Sequence, residues 1–239
     1  MSSVFRFKQF EVNQEGSAMR INTDGVLLGA MADHSLPINI LDIGTGTGVI
    51  ALMLAQRFPT GNIEAIELDE YSAELAEQNF EHSRFSARLK VHHGAFQYFK
   101  PRHPYDLMVS NPPFFTNALQ NPDKRKAIAR HANTQFFDDL LIKAAEWLRN
   151  QGSLQVIVPL DIGDYLIDKA TTSGIFTLTK TIHIRSFIHN VPFRKIISLE
   201  KGRTTALSQE QEVFFTLYEA QAVYSSGYKS LLSPFFLKF

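Results

Sequence analysis

Two stretches of this chain carry residue types at spacings that suit chemistry. Asp42-Ile-Gly-Thr-Gly-Thr-Gly48 follows one short apolar run, and Ser110-Asn111-Pro112-Pro113-Phe114 follows another. In the first, Gly44, Gly46 and Gly48 serve a turn whose backbone must take positive φ or let a ligand approach closely. A helix starting behind that turn would aim its free N–H groups at a polar ligand. This suits a nucleoside-containing cofactor. Glu67, ending the next apolar run, can accept hydrogen bonds from both hydroxyls of a ribose. Asp69, close behind, serves equally well as the acidic residue at the start of a helix.

The second stretch suits a planar amine. Such an amine is a poor nucleophile because its lone pair is delocalised, and acceptors on its two N–H groups let the nitrogen pyramidalise. The Asn111 side-chain carbonyl and the Pro112 main-chain carbonyl are two such acceptors. Pro112 and Pro113 fix φ and push Asn111 toward an extended backbone, so the acceptors are placed in advance. Phe114 offers a ring on which a base can stack.

The elements that must position these turns are legible from hydrophobic pattern. Ile38–Ile43, Asn62–Leu68, Leu89–His93, Tyr105–Ser110 and Gly152–Leu160 read as strands, the last ending at Pro159. Val49–Phe58 and Ser72–His82 read as helices, the second with Leu75, Ala76 and Asn79 on one side. Phe136, Phe137, Leu140, Leu141, Ala144 and Leu148 recur at helical spacing, with Asn133 or Thr134 as cap and Trp147 in the core. Strands alternating with helices predict an α/β fold with a mostly parallel sheet. From Phe176 onward the segments Phe176–Phe187, Lys195–Glu200 and Val213–Glu219 read as strands without helices between them, which predicts an antiparallel C-terminal edge. One domain is expected, with an N-terminal extension over about 1–36, a cofactor-binding core over about 37–160 and an antiparallel part over about 161–239.

Bulk properties narrow the partners. The chain has 239 residues, 44% hydrophobic and 20% charged, with formal net charge zero. Nucleic-acid binding must therefore come from local patches. Lys124, Arg125, Lys126, Arg130 and His131 form one basic cluster. Arg185, His189, Arg194, Lys195, Lys201 and Arg203 form a second, with Phe187 and Phe193 among them. Basic groups interleaved with aromatics suit phosphates and splayed-out bases. The absence of cysteine excludes disulfides, thiolate metal sites and a cysteine nucleophile, and fits the cytoplasm. No membrane span, signal peptide or metal is expected, and a monomer is the simplest assembly.

The spacing of the first glycine turn departs from the dinucleotide fingerprint, which would put its third glycine at the position of Val49. It resembles instead the first motif of Rossmann-like class I S-adenosylmethionine-dependent methyltransferases. Asn111-Pro-Pro-Phe114 resembles the motif of amino-methyltransferases acting on adenine, guanine or a glutamine amide. The whole chain resembles the bacterial tRNA1(Val) adenine-37 N6-methyltransferase family. Phe5–Phe10, Met19–Gly29, Arg125–His131 and the aromatic end Tyr224–Phe239 carry that likeness alongside the two motifs. The resemblance implies S-adenosylmethionine as cofactor, adenine N6 in tRNA as acceptor, and Thr23 and Asp24 near the amino-acid end of the cofactor. An rRNA guanine-N2 or protein glutamine enzyme, or a silent RNA-binding protein of the same fold, are the alternatives. Phe114 stands where the family more often has Tyr. Ala95 stands where related enzymes carry an acidic residue for the cofactor adenine, so main-chain and apolar contacts are expected there.

Overall fold

In the computed structural model the described residues are 3–17, 19–112, 122–202 and 210–238, and over 122–133 the backbone alone is described. The chain runs β1 (Val4–Arg6), β2 (Glu11–Asn13), α1 (Thr23–Met31), β3 (Asn39–Ile43), α2 (Val49–Arg57), β4 (Asn62–Glu67), α3 (Glu70–Glu81), β5 (Leu89–His93), β6 (Tyr105–Ser110), α4 (Pro122–Trp147), β7 (Leu148–Val158), α5 (Leu160–Thr172), β8 (Phe176–Arg185), β9 (Arg194–Lys201), β10 (Gln211–Thr216), β11 (Tyr218–Ala220), β12 (Val223–Tyr224) and α6 (Ser226–Leu232). An eight-stranded sheet has the order β10-β8-β9-β7-β6-β3-β4-β5.

Strands β3 to β7 pair in parallel. Parallel strands covered on both faces must be apolar on both, and β6 is buried along its whole length. Successive residues supply opposite faces. Ile40, Leu107 and Val109 join one buried cluster with α1 and α2, while Leu41, Ile43 and Met108 join another with α4 and α5. The result is a class I methyltransferase-like sandwich of helix, sheet and helix.

The C-terminal strands are antiparallel where β9 pairs with β7 and with β8. The outermost pair differs from expectation, since β10 joins β8 in parallel. From β9 the chain crosses β8 and lands on its far side, so β10 opposes β9 and follows β8. Both β8 and β10 therefore point the same way as β3 to β7. Their carboxyl ends reach the sheet edge that carries the two sequence motifs.

Three further differences have physical reasons. Helix α4 begins at Pro122 rather than at a cap on Asn133 or Thr134. The apolar periodicity begins only at Phe136, and proline suits a first helical position. Helix α5 interrupts the stretch between β7 and β8, and its Gly163 marks a close approach. A Cβ there would stand 2.3 Å from Cδ of Lys195 on β9. Finally, the N-terminal residues belong to the core rather than hanging from it. Phe7, Phe10, Val12, Leu27 and Leu28 are buried with α2, and the Lys8 N–H donates to the Phe235 carbonyl at 2.7 Å, closing the two ends of the chain.

One ion pair joins the C-terminal strands to the first turn of α1. The Arg194 guanidinium donates to the Asp24 carboxylate at 2.8 Å, with side chains 27% and 16% exposed. A partly desolvated, charge-assisted bond is stronger than a surface pair. In a double-mutant cycle with Asp24→Ala and Arg194→Ala, the coupling in unfolding free energy should be about 1–2 kcal/mol. The exposed pair Arg6–Glu11 should give under ~0.5 kcal/mol in the same assay. Equal couplings for the two pairs would remove Asp24–Arg194 as a structural link.

Candidate active site

The chain fills β3, β4 and β5 outward in one direction, then returns to place β6 on the other side of β3. Such a reversal opens a crevice at the carboxyl ends of the strands, where α/β proteins bind ligands. Ile43 pairs with Ser110 in the sheet, and the Ser110 hydroxyl donates to the Ile43 carbonyl at 2.8 Å. The glycine turn and the Asn-Pro-Pro turn thus leave adjacent strands at the same level.

The glycine turn is built for a ligand. Gly44, Gly46 and Gly48 have φ of 73°, 57° and 86°. A Cβ at Gly44 or Gly46 would meet nothing within 4 Å, so the turn faces open space, whereas one at Gly48 would meet the Phe80 ring at 2.5 Å. Gly48 caps α2, whose first turn faces the same crevice. Asn79 clamps the turn from behind. Its amide donates to the Thr47 carbonyl and to the Asn13 carbonyl, both at 2.9 Å, and it accepts from the Asn13 N–H at 2.8 Å. Its place among the apolar residues of α3 was the sequence signal for this role, because a buried amide requires partners.

Glu67 ties two turns together. One carboxylate oxygen accepts from the Gly46 N–H at 2.8 Å and the other from the Asp69 N–H at 3.0 Å. A carboxylate has about four acceptor positions, so each oxygen retains one for a ribose hydroxyl. Asp69 caps α3 instead, accepting from the Ser72 N–H and hydroxyl, and these bonds hold its pKa below the usual carboxylate value. Beside Glu67 lies Leu68, a leucine 69% exposed that belongs to neither motif. Gly94, with φ 139° and open space where a Cβ would stand, donates its N–H to the Glu67 carbonyl, and Ala95 follows it half-exposed.

Asp42 is fully buried. The Thr45 hydroxyl donates to one of its oxygens at 2.6 Å, and the other has no hydrogen-bond partner. Burial pushes its pKa from the ordinary 3.8 up to about 7, with Glu67 adding to the rise, while the Thr45 hydroxyl and Ala51 N–H oppose it. These features fit S-adenosylmethionine, a cationic nucleoside: an unmet acceptor on Asp42, a cradle at Gly44 and Gly46, and a two-oxygen acceptor at Glu67.

Asn111 is half-buried and Pro112 buried. A Cβ on Gly25 would stand 3.4 Å from the Asn111 side-chain nitrogen and 3.8 Å from Ile50. Gly25 therefore lets α1 approach the Asn111 amide closely, a role invisible in the sequence. The first turn of α1 is capped by the Asn22 side chain, which accepts from the Gly25 N–H at 2.8 Å. Thr23 opens this turn and Asp24 follows it, so both belong to the helical turn that approaches Asn111 at Gly25. The Asp24 carboxylate is engaged with Arg194. Phe114 lies outside the described residues.

The basic clusters divide. The side chains of Lys124, Arg125, Lys126, Arg130 and His131 fall outside the described residues, as does Arg203. Lys195 is not at the surface. Its side chain is 6% exposed and its ammonium donates to Asp164 at 2.6 Å, which corrects the expectation that it meets RNA. The Lys201 ammonium donates to the Ala145 and Leu148 carbonyls at the end of α4. Arg185 donates to the Thr216 hydroxyl at 2.9 Å and lies over the Phe214 ring.

The raised pKa of Asp42 has a consequence for the cofactor-free protein. Its folded value of about 7 exceeds the ordinary 3.8, so the folded state holds a proton that the unfolded chain releases. The stability this contributes is present at low pH and is lost as pH rises toward 7. Asp42→Asn has no such proton, so its stability should gain on that of the wild type by up to ~1.4 kcal/mol per pH unit between about pH 4 and pH 7, then run parallel. Denaturant unfolding across that range checks it, and a constant difference would contradict it.

Comparison with known proteins agrees with this geometry. The methyltransferase small domain family matches residues 19–164. Among solved structures, a "predicted O-methyltransferase" from Agrobacterium tumefaciens superposes with a TM-score of 0.67 at 18% identity, covering 89% of this chain and 96% of that one. This likeness shows the fold alone. A tRNA1(Val) (adenine(37)-N6)-methyltransferase of Pedobacter heparinus is 46% identical over 239 residues, all of both chains. The enzyme of the same description from Actinobacillus pleuropneumoniae is 38% identical over 99% of this chain and 98% of that one. With relatives of this identity along its full length, the chain belongs to the tRNA1(Val) (adenine(37)-N6)-methyltransferase family.

Proposed function

We propose that the chain transfers a methyl group from S-adenosylmethionine to N6 of adenine 37 in tRNA1(Val). The observation that carries the chemistry is the pairing of Ile43 with Ser110, which sets a turn fit for the cofactor beside a turn fit for an amine. When bound, S-adenosylmethionine supplies a methyl group already activated by a sulfonium leaving group. The protein's task is then alignment of two reactants and support for the amine as it pyramidalises.

In this reading Glu67 holds the ribose, and Asp42 with Gly44, Gly46 and Gly48 receives the cationic amino-acid part. Leu68 and the backbone at Ala95 receive the adenine. Thr23 lies with Asp24 at the cofactor's far end. Asp24 acts there by anchoring α1 through Arg194 rather than by direct contact. The carbonyls of Asn111 and Pro112 accept the two N–H groups of the target amine, and Phe114 stacks on the base. A base in an anticodon loop can be turned out of its stack at a cost of a few kcal/mol. Lys124, Arg125, Lys126, Arg130 and Arg185 would hold the RNA backbone. We take the working unit to be a monomer, in the cytoplasm.

Asn111→Ala removes an acceptor whose value peaks in the transition state. Single-turnover methylation of tRNA should slow by roughly 10²-fold or more while cofactor affinity holds. Asn111→Asp, which keeps an acceptor, should be milder. Wild-type turnover by Asn111→Ala would reduce the Asn-Pro-Pro turn to a structural loop. For the RNA backbone, reversing charge at Arg125, Lys126 and Arg130 together should weaken tRNA binding and flatten its dependence on salt, because fewer counterions are released. A salt slope equal to that of the wild type would make α4's basic half a solvated face.

A further inference from the structure

The loop joining β8 to β9 is unused by the chemistry above, yet it sits at the same sheet edge. Strand β8 points the way β6 points, through the two antiparallel steps at β9. Its carboxyl end therefore rises beside the crevice. The contact path is short: Asn111 lies against Gly25, Asp24 precedes Gly25, and Asp24 is bonded to Arg194 at the foot of the loop.

The loop is rigid and its tip is apolar. The Phe187 N–H donates to the Asn190 side chain at 3.1 Å, and the Asn190 N–H donates back to the Phe187 carbonyl at 2.9 Å. The Phe193 N–H closes the base on the Ile184 carbonyl at 2.9 Å. On this frame Ile188 and Val191 are 73% and 79% exposed, and Phe193 is 38% exposed. Hydrophobic side chains held outward by a closed turn make a surface rather than a frayed loop.

Behind the tip stands a row of rings. His189 lies nearly parallel to Phe187, at 5.8 Å and 7°. Phe187 meets Tyr218 at 5.7 Å, and Tyr218 stacks on Tyr224 at 5.1 Å. Tyr224 stacks in turn on buried Tyr228 at 4.5 Å. The row leaves His189 as its exposed last ring. From Arg185 to Arg194 the chain holds two arginines and a histidine and no acidic residue. A flat ring at the end of a stack, apolar neighbours and a loop without acidic residues that begins at Arg185 match the faces of unpaired bases on an anionic backbone. They match a protein partner's mixed-charge rim less well.

We infer that the β8–β9 loop tip is a stacking platform, in which Ile188, His189 and Val191 receive the unpaired nucleotides that flank the target adenine in the RNA loop. The platform rests on the reaction assigned above for its ligand, and it adds a device for selecting loop over helix. A duplex keeps its base faces covered, whereas a loop offers them. The platform thus holds the neighbours while the target base turns toward Asn111.

The test uses the full chain and a short RNA hairpin whose loop contains the target adenine, alongside the same hairpin with abasic sugars on both sides of that adenine. The variant is I188A/H189A/V191A, whose side chains are exposed and whose loss leaves the core intact. Wild-type protein should bind the intact hairpin roughly tenfold more tightly than the abasic one, the scale of base stacking on protein. The variant should lose a similar factor on the intact hairpin and nothing more on the abasic one. Its salt slope and its affinity for S-adenosylmethionine should match the wild type, which separates stacking from phosphate contact and from misfolding. Wild-type affinity of the variant for the intact hairpin overturns the platform. So do losses that multiply independently in the variant and the abasic RNA. If the wild type shows the expected coupling yet transfers no methyl group to the hairpin, the platform stands and the assigned reaction is what fails.

Discussion

The register between β3 and β6 is the constraint on which the rest depends. Ile43 opposite Ser110, locked by the Ser110 hydroxyl on the Ile43 carbonyl, fixes where two turns emerge relative to each other. A shift of one residue would turn every side chain of a strand to the other face. It would expose Leu41 and Ile43 to the wrong layer and separate the cofactor turn from Asn111. Both faces of β6 are buried, so that slip is costly, and the alignment of the turns follows from packing rather than from the turns themselves.

Around this alignment the molecule uses polar groups as fasteners. Asn79 bonds the β1–β2 hairpin to the glycine turn, and Glu67 bonds the glycine turn to the loop after β4. Each is at least half-buried and bonded to backbone groups, the condition under which a buried polar side chain specifies structure instead of weakening it. Asp42 is the exception. One of its oxygens has no partner and its charge is poorly solvated. An acceptor left unmet inside a glycine-lined cradle is a local sacrifice of stability of the kind found at binding sites.

The C-terminal third contributes more than an edge to the sheet. Because β10 follows β8 instead of opposing it, the β8–β9 loop and the β10–β11 junction both rise at the crevice. The Arg194–Asp24 pair then fastens that side of the molecule to α1, and through Gly25 to Asn111. Lys195, one residue further along β9, has its buried side chain running past Gly163 of α5 to a bond with the exposed carboxylate of Asp164. Neighbouring cations on one strand thus serve opposite faces, as strand alternation requires.

By itself the sequence determined the local chemistry and the parallel core. The glycines at 44, 46 and 48 needed positive φ, Asn111 needed its prolines, and β5 and β6 stand where hydrophobic pattern placed them, because these depend on short-range backbone geometry and on burial at a fixed period. Only the tertiary structure decided the rest. The first half of α4 was missed because its residues show no apolar stripe in the sequence. Gly25 and Gly163 were silent because a close approach is a property of two distant segments. Lys195 and Arg194 looked alike as charges, and burial separated their roles. The expected antiparallel direction of β10 failed for the same reason: an isolated strand pattern records which residues alternate, while its partner and sense are set by the edge left free when the other strands have paired.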